Sequence, residues 1–256
     1  MRADPLHLDA ATNRAAWAAV NAEYTADHAL RAWQEQEFGW GLFGIPEQEL
    51  GVLGRVADLN VVELGCGTAY LSAWLARQGA RPVAVDITHA QLRTARRCQE
   101  RFGVHFPLVE ADAGQVPLAA SRFDLVVSEC GASLYCDPRR WIPEAARLLR
   151  PGGRLVFHTV SALVTMCQPG DGLAGLELLR AQHEVFRLQR RRGVEFHPGH
   201  GEWVHVLLAA GLVIDGLHEL YAPPDAADHP FYQLATADWS RRWPIEDIWV
   251  AHRPAS

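Results

Sequence analysis

The chain has 256 residues, with 24 basic residues, all of them Arg, against 30 Asp+Glu, for a formal charge of −6. An apolar content of 49% with 21% charged residues excludes a mainly disordered chain, and the length allows a large core. No stretch is apolar for long enough to span a membrane, the acidic balance weighs against a nucleic-acid binder, and the opening residues lack the apolar centre of a signal peptide, so a cytoplasmic protein is expected. The exclusive use of Arg reads as codon bias. Five cysteines (Cys66, Cys98, Cys130, Cys136, Cys167), an odd number with no C-x-x-C pair, argue against a disulfide framework or a zinc ribbon.

Residues 10–38 are Ala-rich and space Trp17, Val20, Tyr24 and His28 on one face, with Leu30, Trp33 and Glu37 beside it, which predicts one or two helices. The Gly-rich run 38–44 and Pro46 end them. Residues 59–64 predict a buried strand closed by Gly65-Cys66-Gly67, and a helix follows from Ala69 to about Gln78, where Gly79 stops it. A second strand, 82–85, ends at Asp86; Thr88 is a cap for the next helix, which runs to about Arg101. Strands are predicted at 106–110, 124–128 and 154–159, with a helix at 138–150 before Pro151-Gly152-Gly153. This alternation predicts a doubly wound α/β sheet, mostly parallel, with helices on both faces. Beyond it come a loop, a helix near 173–188, a turn-rich stretch, a helix at about 202–210, and strands at 212–221 and 245–252. The last two predict an antiparallel edge hairpin or an inserted edge strand.

The strand–glycine–helix unit is the main chemical clue. Gly65 and Gly67 let a ligand approach the backbone, and the following helix offers free N–H groups. A dinucleotide fingerprint needs a small residue where Tyr70 stands. Glu63 beside the loop disfavours a pyrophosphate and suits a cationic ligand. There is no G-K-[ST], so this is not a phosphate loop of the Walker type.

The segment VVELGCGTAYLSAWLARQGA resembles motif I of the class I S-adenosylmethionine-dependent methyltransferases, of the small-molecule, methyltransferase-domain-11/25-like type. VAVDIT, EADAGQVPL with FDLVVSECGASLYC, and RLLRPGGRLVFHT resemble the motifs that follow, in the family's order and spacing, over residues 58–160. The resemblance implies a Rossmann-like seven-stranded sheet with a helical lid. It implies a helical cover from residues 1–50 and a methyltransferase domain from 51–256; residues 161–200, outside the shared motifs, are expected to form a lid and substrate insertion. It implies S-adenosylmethionine as methyl donor, S-adenosylhomocysteine as product, and no metal.

The resemblance assigns cofactor contacts residue by residue. Asp86 matches the acid that accepts both ribose hydroxyls; its alternative role is to cap the helix after it. Ile87 and Gln91 are placed to cover the adenine, although the family often has an apolar residue at the Gln91 position. Asp112 and the Ala113 N–H match the groups that face the adenine edge, with a turn aspartate as the alternative. Glu129 and Gly131 end the fourth strand, where backbone carbonyls receive the methionine ammonium. Glu63, Gly65, Cys66 and Gly67 complete this set. Trp17, Tyr24, Trp33 and Trp40 are candidates for the aromatic cover, or else core aromatics of the helix pair.

A base is needed only if the acceptor must lose a proton. Candidates are His158 at the end of the fifth strand, His197 and His200 in the turn-rich lid, and Glu129; each histidine has a purely structural alternative. The spacing of His197, His200 and His205 matches no recognised metal site, and no acidic triad of the catechol-methylating kind is present. Arg187 and Arg190–Arg192 form the one basic run, either a phosphate contact or a solvated helix end. The expected partner is a small-molecule acceptor, not nucleic acid or membrane, for a monomer or homodimer. The alternatives are an RNA or protein methyltransferase, a catalytically silent cofactor-binding regulator, and an NAD(P) oxidoreductase.

Overall fold

Seven strands form one sheet: β1 (Asn60–Leu64), β2 (Arg81–Asp86), β3 (Leu108–Glu110), β4 (Phe123–Glu129), β5 (Leu149–Val160), β6 (Val213–Leu220) and β7 (Glu246–His252). The computed structural model describes residues 5–191 and 193–255. The strand order is β3-β2-β1-β4-β5-β7-β6. The first five pair in parallel, and β7 lies antiparallel between β5 and β6. Both expectations for the last two strands are therefore met at once: they pair as a hairpin, and the later one is inserted. The order reverses between β1 and β4, and ligands of such sheets bind outside the carboxyl ends of the strands at this point.

The strands read as near-continuous apolar runs because both faces are covered. On one face Trp141 and Ile142 of α5 (Pro138–Leu148) and Trp203 and Leu207 of α6 (His200–Ala209) pack on Leu155, Phe157 and Trp249. On the other, Leu71 and Leu75 of α3 (Tyr70–Arg77) pack on Val61, Val156 and Ile248. Next to it α2 (Ala26–Gln34) sets Trp33 against Leu92 and Ala95 of α4 (His89–Phe102). Asp137 caps α5 by accepting from the Arg139 N–H, with Pro138 at the first helical position. Thr88 makes no side-chain cap for α4; instead the Asp86 carboxylate accepts from the Thr88 N–H at 2.7 Å.

The Ala-rich start forms α1 (Pro5–Val20), a π turn over Asn21–Thr25, and then α2. The Asn13 carboxamide donates to the carbonyls of Tyr135 (2.8 Å) and Val194 (2.9 Å) and accepts from the Val194 N–H (2.6 Å). Gly193 is required there, since a Cβ on it would lie 2.3 Å from Asn13 Oδ1.

The helix expected near residues 173–188 does not form. A loop and one 3-10 turn (Gln182–Glu184) lead into a hairpin of Arg187–Arg190 with Gly193–Phe196. The leucines that suggested a helix have no surface to bury against: Leu176 is 74% and Leu178 66% exposed. The basic run accordingly sits on a hairpin rather than a helix end; its Arg192 lies outside the described residues.

Candidate active site

A cavity of about 680 Å³ opens at the carboxyl ends of β1, β2 and β4. The loop after β1 forms its floor. The N–H groups of Gly65 and Cys66 both donate to the Val85 carbonyl (2.8 and 2.9 Å), which locks the loop to β2. Gly65 serves this packing rather than a ligand: with φ +77, a Cβ there would lie 2.3 Å from the Ala132 nitrogen. Gly67 is different. Its φ is +53 and a Cβ there would meet nothing within 4 Å, so its outer side is free for a ligand. Ala69, at φ 58, turns the chain into α3.

Asp86 ends β2 and is buried. Its Oδ2 accepts from the Gly67 N–H at 2.8 Å and its Oδ1 from the Thr88 N–H, so it orders the loop and the helix start while each oxygen keeps a lone pair for a further donor. Burial raises its pKa, against the pull of the Thr88 and Gly67 bonds. Asp112 accepts from the Gly114 N–H (2.8 Å) and pairs with Arg140 (3.0 Å). Ile87, Ala113, Cys66 and Gly131 line the cavity beside these acids. Gln91 also lines it, but its Oε1 already accepts from Asn21 (3.0 Å) and Thr25 (3.1 Å), which fastens the π turn to α4.

Glu63 needs a correction. It does line the cavity beneath the loop, but it accepts from the Ser72 N–H (3.0 Å) and hydroxyl, and burial pushes its carboxyl up to about 8. At neutral pH it is mainly uncharged, so it supplies little of the negative field that its sequence position suggested.

The negative field comes from further along the cavity. His158, fully buried on β5, has Nδ1 at 3.3 Å from Glu129 and 3.4 Å from Cys130 Sγ, and Nε2 at 3.5 Å from Glu246. Burial opposes charge on this imidazole, but Cys130, Glu246 and Glu129 outweigh it and hold the pKa well above the ordinary value. Burial would likewise raise Glu129; the bonds from His158 and the Tyr70 hydroxyl, and the imidazolium charge, hold it below the usual range instead. Burial pushes the Cys130 thiol up to about 11, so it stays protonated. Glu129, Cys130 and Glu246 line the cavity, with His158 behind them as the shared counter-charge of the two carboxylates. Glu246 is further fixed by the Leu42 N–H (2.8 Å), delivered by the hairpin of Gly39–Trp40 with Ile45–Pro46.

The cavity is also lined by Trp17, Tyr135, Phe196, Arg190, Phe231 and Tyr232. Of the aromatic candidates only Trp17 is among the lining residues. Trp40 is wholly buried and donates to Glu47 (2.6 Å), and Trp33 donates to the Thr68 carbonyl (2.8 Å) inside the core. Tyr24 stands at the rim, stacked on Phe231 with ring centroids 3.7 Å apart. Among the histidines, buried His197 is held by Thr165 (3.1 Å) and Glu195 (3.0 Å), and His200 pairs with Asp247 (3.1 Å) outside the cavity, so neither faces an acceptor. Sequence reasoning missed Glu246, Arg190, Tyr135, Phe231 and Tyr232. Glu246 is placed by the inserted β7, Arg190 by the hairpin 187–196, Tyr135 by the short helix Ala132–Tyr135 after β4, and Phe231 and Tyr232 by the loop between β6 and β7.

The family of proteins with a methyltransferase domain matches residues 62–157. A demethylmenaquinone methyltransferase of Clavibacter sepedonicus is 36% identical over 102 residues, which are 40% of this chain and 41% of that one. The chain thus spans about two fifths of that curated relative. Among solved structures, an S-adenosylmethionine-dependent methyltransferase from Mesorhizobium loti aligns with a TM-score of 0.65 at 24% identity, covering 83% of this chain and 99% of that one. The 1,6-didemethyltoxoflavin-N1-methyltransferase of Burkholderia thailandensis, solved with 1,6-didemethyltoxoflavin and S-adenosylhomocysteine, aligns at 0.60 and 16% identity, covering 99% and 92%. Residues 62–157 thus match a methyltransferase domain, and the sheet around them has the fold of the solved S-adenosylmethionine-dependent methyltransferases.

Proposed function

We propose that the protein transfers the methyl group of S-adenosylmethionine to a small or medium organic acceptor. The observation that carries this is one cavity whose wall joins a glycine loop with Asp86 and Asp112 to a set of aromatics, Trp17, Tyr135, Phe196, Phe231 and Tyr232. Its size falls within the range of small-molecule sites, roughly 300–1,000 Å³.

The residues fit the cofactor. Asp86 has acceptor capacity left for a ribose diol, Gly67 leaves its outer side open, and Asp112 with the Ala113 N–H faces the place of an adenine edge. Ile87 covers that ring, and Gln91 tethers the cover. Ionised Glu129 and the carbonyls near Gly131 suit an ammonium group. When bound, the cofactor supplies an electrophilic methyl on a sulfonium.

The chain's own part is positioning, exclusion of water and proton handling. Trp17, Tyr135 and Phe231 enclose the acceptor chamber. Glu246 takes the place of the histidines as proton acceptor, because it borders the chamber while His158 stays behind it. For an acceptor that loses a proton, that proton passes to Glu246, beside the His158 charge. Glu129, fixed by Tyr70 and His158, holds the donor side of the cavity negative.

Calorimetry with S-adenosylhomocysteine, followed by a screen of phenols, amines and carboxylic acids for gain of one methyl by mass spectrometry, tests this reading. One-to-one binding and a methylated product are expected. Binding of a nicotinamide dinucleotide in place of adenosylhomocysteine overturns it.

A further inference from the structure

We propose that His200, Glu219 and Asp247 form a second binding site, for a divalent transition-metal ion of the zinc type, on the outer part of the sheet away from the cavity. None of the three lines the cavity. One ligand atom from each, the imidazole nitrogen and two carboxylate oxygens, lies within 4.8 Å of the other two.

The topology creates this grouping. Glu219 on β6 and Asp247 on β7 are direct partners in the antiparallel register. Two acids facing each other across a ladder repel unless a cation lies between them. His200, first residue of α6, brings Nε2 to 3.1 Å from Asp247 Oδ2, and its ring is set edge-on against Trp249 at 5.8 Å.

Asp247 gives an independent indication. Its side chain is only 3% exposed, and its second oxygen, Oδ1, has no hydrogen-bond partner among the described residues. A buried carboxylate oxygen without a partner is costly, and a metal ion bound by this carboxylate removes the cost. His200 is 46% exposed, which leaves an entry path from solvent.

The donor set selects the ion. One imidazole nitrogen with two carboxylate oxygens suits zinc and its neighbours, whereas calcium takes six to eight oxygens and magnesium an octahedral oxygen shell. Three protein ligands leave a fourth position to water. The sequence gives no sign of this, because the ligands come from three separate elements.

Titration of the chelator-treated full chain with Zn²⁺ by calorimetry, with Co²⁺ as an optical probe, tests the proposal. One ion per chain is expected, with a higher Tm on binding. Affinity should fall at least tenfold in H200A and in the exposed-site variant E219Q. C130S, which removes a ligand from the other metal-capable group (Glu129, Cys130, His158), should bind as the parent does. Absence of saturable binding overturns the proposal. So does binding that survives H200A and E219Q but is lost in C130S.

Discussion

Gly65 and Gly131 stand backbone to backbone. A Cβ on Gly65 would come within 2.7 Å of Gly131, and one on Gly131 within 2.1 Å of the Gly65 carbonyl oxygen. The ends of β1 and β4 meet here with no side chain between them, and this contact shapes the floor of the cavity.

Gly65→Ala therefore destabilises the fold by at least about 3 kcal/mol, through backbone overlap and left-handed strain together. Gly67→Ala keeps the fold at a cost of about 1 kcal/mol, because only the φ is unfavourable, but weakens S-adenosylhomocysteine at least tenfold. Urea melts beside calorimetry separate the two; equal effects on folding would show that both glycines do the same job.

Asp86→Ala weakens S-adenosylhomocysteine by roughly 1–3 kcal/mol, the loss of two charge-assisted hydrogen bonds. Part of the effect comes through the Gly67 N–H, which loses its acceptor. Asp86→Asn, able to keep one of these bonds, should fall between. Unchanged affinity in both variants would remove the ribose from this corner.

Glu63 gives a pH signature. Its carboxyl sits near 4.5 unfolded and at about 8 folded, so the folded state keeps a proton that the unfolded state releases. Its contribution is most favourable below about 4.5 and is lost as pH rises through about 8, so stability slopes downward across that interval, by up to about 1.4 kcal/mol per unit. Glu63→Gln keeps an oxygen for Ser72 and flattens the slope. Chemical melts at pH 5 and pH 8 should show the variant gaining on the parent only at the higher pH.

His158→Gln leaves Glu129 and Glu246 buried without their cation and costs about 3–5 kcal/mol near pH 6. The raised His158 contributes fully below about 6.5, and its share is lost as pH rises through its folded value. The lowered Glu129 contributes above about 4.5 and is lost as pH falls through its own. The difference between parent and variant should thus be largest between these values and shrink as pH rises through the folded value of His158. A constant difference would mean that His158 acts by packing alone.

The parallel core was legible because its first four strands carry apolar runs closed by glycine or an acid, and the fifth follows the Pro151-Gly152-Gly153 turn. Asp86, Asp112 and Gly67 were legible because a turn of fixed length ties them to those strands. The lid was not: Leu173 to Leu188 space like a helix, yet the exposure of Leu176 and Leu178 shows that no surface meets that face. Tryptophan placement was legible only in part, since Trp33, Trp40, Trp141, Trp203 and Trp249 are all core and Trp17 alone among the nine reaches the cavity. The ion pair of His158 with Glu246 was invisible, because it depends on which strand slots in beside β5.

The three bonds of the Asn13 carboxamide bear on how a molecule comes and goes. Because one side chain pins the first helix, the turn at Tyr135 and the hairpin at Val194 together, none of these walls can swing aside while the others stay put. Passage is then a single all-or-nothing unlatching, and a change at position 13 would show itself in how long a guest lingers more than in how tightly it is held.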